Sequence, residues 1–393
     1  MTRWYALVPL ALAVACGADP AAPETPPPIE AALAPSDVSI LMPLPAASER
    51  LSLLGPDARG ARGPLLPRDL YGQLPELEIF SDNVDTYDLL RVVGIRLDPC
   101  FPTLDPSSAD GCKSMVRLVM QPIRLVAAGD ALELRAVDAA VHLFYAVDEA
   151  DLEDLLAWLV AARRDAVSDG RATLGVHPAL AAQGLDGPFM TTLRSRLLAA
   201  IGGDNLTRVT VMALGDFGNV WTFAGFDVKG DTLEPFVIPT LAASSQSFTN
   251  VDATGATFSQ TKLVPPGVDQ DIALLLDSDA ALAAPPSEAQ APFTATLRIE
   301  NPRLENPDTI DCATCHIAPA ARRWAETALA LDAADFAEEY RDPAGLPVEG
   351  ATGSRTDELR MFGYFDSRPS VSRRVVNETD ALVRFWNAKL GLD

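Results

Sequence analysis

Basic side chains, histidines and long apolar runs are all scarce in this sequence. Only 31 of its 393 residues are Lys or Arg, against 54 Asp or Glu, for a formal charge of −23. Without a Lys/Arg-rich run there is no basic face for a phosphate backbone, which excludes nucleic acid as a partner. The acidity reads as solubility, with attraction to a basic redox partner protein as the sharper alternative. The three histidines are His142, His177 and His316, so any imidazole chemistry must come from these positions. H-E-x-x-H, G-x-S-x-G and G-x-x-x-x-G-K-[ST] are all missing, which removes zincin, serine-hydrolase and P-loop mechanisms. No internal repeat is visible. The apolar run from Trp4 to Ala15 is too short to cross a bilayer as a helix.

That run follows Arg3 and has the form of the apolar core of an export signal. It ends in Ala13-Val14-Ala15-Cys16, which resembles the lipobox of bacterial lipoproteins. Leu12 stands one place further from the cysteine than the usual leucine. The resemblance implies loss of residues 1–15, a lipid on Cys16, and anchoring in the cell envelope with a lean to the outer membrane. An ordinary signal peptide with an incidental cysteine is the alternative. Residues 16–69 are rich in Pro and Ala and read as a tether.

Export gives the five cysteines a pattern. With Cys16 lipidated, four remain. Cys100 and Cys112 flank a Pro/Ser/Asp/Gly loop between two strand-like runs. A disulfide there suits an oxidising compartment and would contribute roughly 3 kcal/mol.

The fold class expected is α+β. Residues 70–305 form a β-rich domain with peripheral helices, followed over 306–393 by a small, mainly helical module. Strands are expected over 87–100, 112–126, 132–147, 205–214 and 291–302, and over 218–238 as two strands joined by a turn at Lys229-Gly230-Asp231. Leu152, Leu155, Leu156 and Leu159 mark one helix, and Leu193, Leu197 and Ile201 a second. The last helix carries Leu382, Phe385 and Trp386, with Asn377 as its expected N-cap.

Cys312-Ala313-Thr314-Cys315-His316 has the C-x-x-C-H form of covalent haem attachment. Two thiols one helical turn apart reach two vinyl positions on a porphyrin edge, and the next imidazole lies under the iron. A disulfide, a redox CxxC and a metal site are the other readings. Zinc wants four ligands, and this stretch supplies three. A thioredoxin-like pair wants a βαβ unit, which the sequence does not show. His142, within an aliphatic run, reads as a packed or strand-surface residue, and His177 as a loop residue.

From Cys312 onward the chain resembles the cytochrome c family: the motif, a helix, a Met-containing loop and an aromatic C-terminal helix. The resemblance implies one covalent haem c, with His316 as the first axial ligand and Met361 as the second. It also implies electron transfer, with a redox enzyme using the haem as its catalytic centre as a further option. The family's helix before the motif is replaced by "TLRIENPRLENPDTID". The missing wall of the site is therefore expected from the β-rich region. The alternative function is a surface lipoprotein whose β-rich domain binds a ligand or partner, with Cys312–Cys315 as a structural disulfide.

Overall fold

The β-branched and aliphatic runs pair into one ten-stranded antiparallel sheet, the centre of a mixed α+β fold. The structure, a computed structural model, describes residues 29, 31–77, 85–102, 112–167, 174–215, 220–249, 262–266, 272–341 and 361–392. Cys16 and the lipobox lie outside the described residues.

A helical turn α1 (Pro35–Val38) leads into strand β1 (Ser39–Leu41). A two-stranded ribbon of β2 (Arg59–Gly60) and β3 (Gly63–Pro64) is followed by helical turns α2 (Arg68–Tyr71) and α3 (Thr86–Leu89). Then come β4 (Leu90–Phe101), β5 (Lys113–Ala128), β6 (Ala131–Ala136) and β7 (Ala140–Ala146). Helices α4 (Glu149–Ala166), α5 (Pro178–Gln183) and α6 (Pro188–Ala200) separate these from β8 (Leu206–Leu214) and β9 (Val220–Lys229). The sheet is completed by β10 (Thr232–Pro235), β11 (Ser245–Thr249) and β12 (Lys262–Val264). Helices α7 (Ser278–Ala283), α8 (Pro286–Glu300) and α9 (Cys312–Ala328) follow. A hairpin of β13 (Phe362–Phe365) and β14 (Arg368–Val371) precedes α10 (Arg373–Leu390). Strand order in the sheet is β1-β4-β5-β7-β8-β9-β11-β12, with β6 beside β5 and β10 beside β9.

Side chains alternate between the faces of each strand, so the two faces carry different cores. Leu118, Val141, Leu143, Tyr145 and Val209 pack with the leucines of α4 and α6. On the other face Met212, Trp221, Phe223 and Phe248 pack with Phe293 of α8 and Ile317 of α9. Each such large side chain, fully buried, contributes on the order of 1.5–3 kcal/mol.

Four expectations change. The tether does not extend to residue 69, because β1 pairs with β4 and Asp37 is fully buried against Arg163 at 2.9 Å. The run 291–302 is not a strand but lies largely in α8. Ala289, Phe293 and Leu297 recur at four-residue spacing, and Pro286 suits the first helical turn. The segment 306–393 is not only helical, since β13 and β14 interrupt it, and it shares both cores with the sheet. Finally, α10 is capped by Ser372, whose Oγ accepts from Val375 N. Asn377 sits inside that helix and donates to the Glu300 carbonyl at 2.9 Å.

Candidate functional site

The C-x-x-C-H motif forms the first two turns of α9. Asp311, fully buried, caps the helix by accepting from Thr314 N at 3.0 Å. A second N-terminal amide, Ala313 N, donates to Gln246 Oε1 of β11 at 2.9 Å. The sheet therefore holds the helix start directly, and α-helical spacing puts Cys312, Cys315 and His316 on one face. Pro319 lacks an amide hydrogen for the Cys315 carbonyl, so a helical hydrogen bond is missing just past the motif.

Cys312 and Cys315 are both free. Burial pushes each thiol up to about 12, the neighbouring cysteine and Asp311 adding to it at Cys312. Such thiols are protonated at neutral pH, unlike the activated thiolate of a redox CxxC. Among the described residues, no group of three or more His, Cys, Asp or Glu side chains is placed to hold a bare metal ion.

All three motif side chains line one cavity, which is open to solvent at its mouth. The opposite wall is the sheet. The His316 ring lies against Phe223 of β9, with centroids 4.9 Å apart. Register gives this wall an order. One row runs Arg96, Arg117, Phe144, Arg208 and Asp227 across β4, β5, β7, β8 and β9. Two residues along, the next row runs Gly94, Val119, His142, Thr210 and Gly225. A third row holds Ala140, Met212, Phe223 and Gln246. The same face thus carries a charged end, a middle with one imidazole, and an apolar end under the motif.

The charged end runs against the acidity of the chain as a whole. Arg96, Arg117, Arg208 and Arg374 line the cavity, with Glu378 as the one acid among the lining residues. Glu378 accepts from Arg96 at 2.6 Å and from Arg374 at 2.5 Å. Asp98 holds Arg117 through a second hydrogen bond of 2.9 Å beside a shorter one. Three guanidiniums thus share two carboxylates. Burial would raise the Glu378 carboxyl, but Arg374, Arg96 and Arg117 hold it down at about 2. Burial lowers Arg96, with Glu378 opposing that shift. Arg96 Nε is buried without a hydrogen-bond partner among the described residues. Arg208 lies over the Phe236 ring at 4.6 Å and bonds Asp227 at 2.9 Å.

Of the residues singled out from the sequence, Met361 lines the same cavity as the motif. The next residue, Phe362, packs over Gly94 so closely that a Cβ there would sit 2.8 Å from its ring. Cys100 and Cys112 are joined as a disulfide. His177 is fully buried away from the cavity, stacked on Phe189 at 4.6 Å with Nδ1 accepting from Ala179 N at 3.2 Å. His142 is a half-buried strand residue of β7 as expected, and it lines the cavity with Nδ1 3.3 Å from Thr210 Oγ1. The arginine row and Gln246 carried no signal in the linear sequence, since they meet only through strand register.

No protein-family model, curated protein or solved structure matches the chain. Function must therefore be argued from the site. Two thiols, an adjacent imidazole, apolar walls and an arginine-lined end fit a large, flat, apolar group that bears carboxylates. Haem has that chemistry.

Proposed function

We propose that the chain carries one covalent c-type haem and serves as an electron carrier in the bacterial cell envelope, anchored by lipid on Cys16. The observation that carries this reading is the cavity: the three side chains of a haem-attachment motif open onto an apolar chamber whose other end is lined by arginines. Cys312 and Cys315 would form the thioethers and His316 would be the first axial ligand. Asp311 and Gln246 fix these three by holding the start of α9. Phe223, Val119 and Phe362 would keep water from the apolar part of the cavity. Arg96, Arg117, Arg208 and Arg374 would face the carboxylates, where charge-assisted hydrogen bonds are strongest. When bound, such a group supplies a one-electron couple whose potential depends on burial and neighbouring charge.

The test is intact mass and a pyridine haemochrome spectrum on protein made with a c-type maturation system. One haem adduct with a thioether-type spectrum is expected, and it should be lost in Cys312→Ser with Cys315→Ser. Loss of only two hydrogens from the Cys312–Cys315 pair would favour the disulfide reading and overturn this one. Membrane association should disappear in Cys16→Ser, and its persistence would count against the lipid anchor.

A further inference from the structure

The iron of a haem on His316 needs a second ligand or a vacancy, and three side chains of the cavity compete for the place by position: Met361, His142 and Met212. Met361 precedes Phe362, whose ring lies over Gly94 of β4. His316 lies over Phe223 of β9. In the sheet order β4-β5-β7-β8-β9, these anchor points are four strands apart, about 19 Å along the sheet. His142 stands on β7, two strands from each, roughly 10 Å. It lies in the row next to that of Phe223, on the same face, and lines the same cavity as His316.

The surroundings of His142 also suit a ligand. A metal-bound imidazole usually has its other ring nitrogen held by a hydrogen bond that sets its orientation. Thr210, its register partner on β8, supplies an oxygen 3.3 Å from His142 Nδ1. A third candidate, Met212, also lines the cavity, but it is the direct register partner of Phe223 on the neighbouring strand and packs with Trp221, Phe223 and Phe248, so it lies beside His316 and not across from it.

We infer that His142, a residue of the sheet and not of the helical segment, is the second axial ligand, so that the site is a bis-histidine haem bridging α9 and β7. The inference rests on the haem reading above. In this arrangement Thr210 is a positioning residue, acting through His142.

The experiment uses the full-length chain matured with haem and reads the ferric form by electron paramagnetic resonance and by near-infrared charge-transfer bands. The wild type should be low-spin with a bis-imidazole signature. His142→Ala should lose that signal to high-spin iron, and added imidazole should restore it. Met361→Leu should leave the signal in place. A methionine–iron band in the wild type, or a high-spin wild type, overturns the inference without touching the haem reading, and neither result depends on a variant folding. Haem attached with an unchanged low-spin signal in His142→Ala also overturns it. No covalent haem in the wild type overturns both.

Discussion

Arg96 and Arg117 are register partners across β4 and β5, two guanidiniums side by side in a largely buried row. Like charges directly opposite one another destabilise a ladder. Here Asp98 and Glu378 offset the repulsion, and Glu378 reaches Arg96 from α10. Glu378→Gln should therefore leave Arg96, Arg117 and Arg374 with Asp98 alone and cost roughly 3–5 kcal/mol. Urea denaturation of the two proteins measures it, and a loss near zero would show that the cluster does not need this carboxylate.

The same residue sets an acid sensitivity. Its folded value of about 2 lies below its ordinary value of 4.5, because Arg374, Arg96 and Arg117 outweigh the effect of burial. The folded state thus binds fewer protons than the unfolded chain between those values. The contribution is complete above pH 4.5 and is lost as pH falls towards 2. It amounts to roughly 3 kcal/mol. Denaturation midpoints followed downward from pH 6 should fall more steeply in the wild type than in Glu378→Gln. Parallel curves would count against the assignment.

Gln246 ties the motif to the sheet by accepting from Ala313 N and donating to the Pro265 carbonyl. Gln246→Ala should cost about 1–2 kcal/mol by leaving a buried amide unpaired. It should also reduce haem incorporated per chain, measured by the ratio of haem absorbance to protein. Full incorporation would show that the helix start holds its place without the sheet.

Asp37 and Arg163 join the N-terminal segment to α4 in a pair with almost no exposure. Asp37 Oδ2 also accepts from Ala34 N at 2.8 Å. Asp37→Asn would leave a buried guanidinium without its counter-charge, for a loss of roughly 3–5 kcal/mol. Thermal or urea unfolding reads this directly. An unchanged midpoint would return residues 31–41 to the status of a tether.

Much of the sheet was legible in the sequence because its strands are long and rich in β-branched residues. Leu90–Phe101, Lys113–Ala128 and Leu206–Leu214 fell close to where the runs placed them. The Lys229-Gly230-Asp231 turn joins β9 to β10 as expected, with Gly230 at φ 65°. The short segments misled. Phe293, Ala295, Leu297 and Ile299 alternate like a strand, yet Ala289, Phe293 and Leu297 also repeat like a helix. Runs of that length fit both periods, and only packing decides between them. The Pro/Ala-rich composition of 16–69 hid Asp37, whose worth comes from an arginine 126 positions away. The motif at Cys312 could be read directly. The wall facing it could not, because Arg96, Arg117, Arg208 and His142 share a face only once the register of four strands is fixed.

Arg96 and Glu378 lie 282 positions apart, yet they close one end of the same cavity. The last helix of the chain therefore brings to that end the one carboxylate among the described lining residues, and without it Arg96 and Arg374 would face each other with no counter-charge between them.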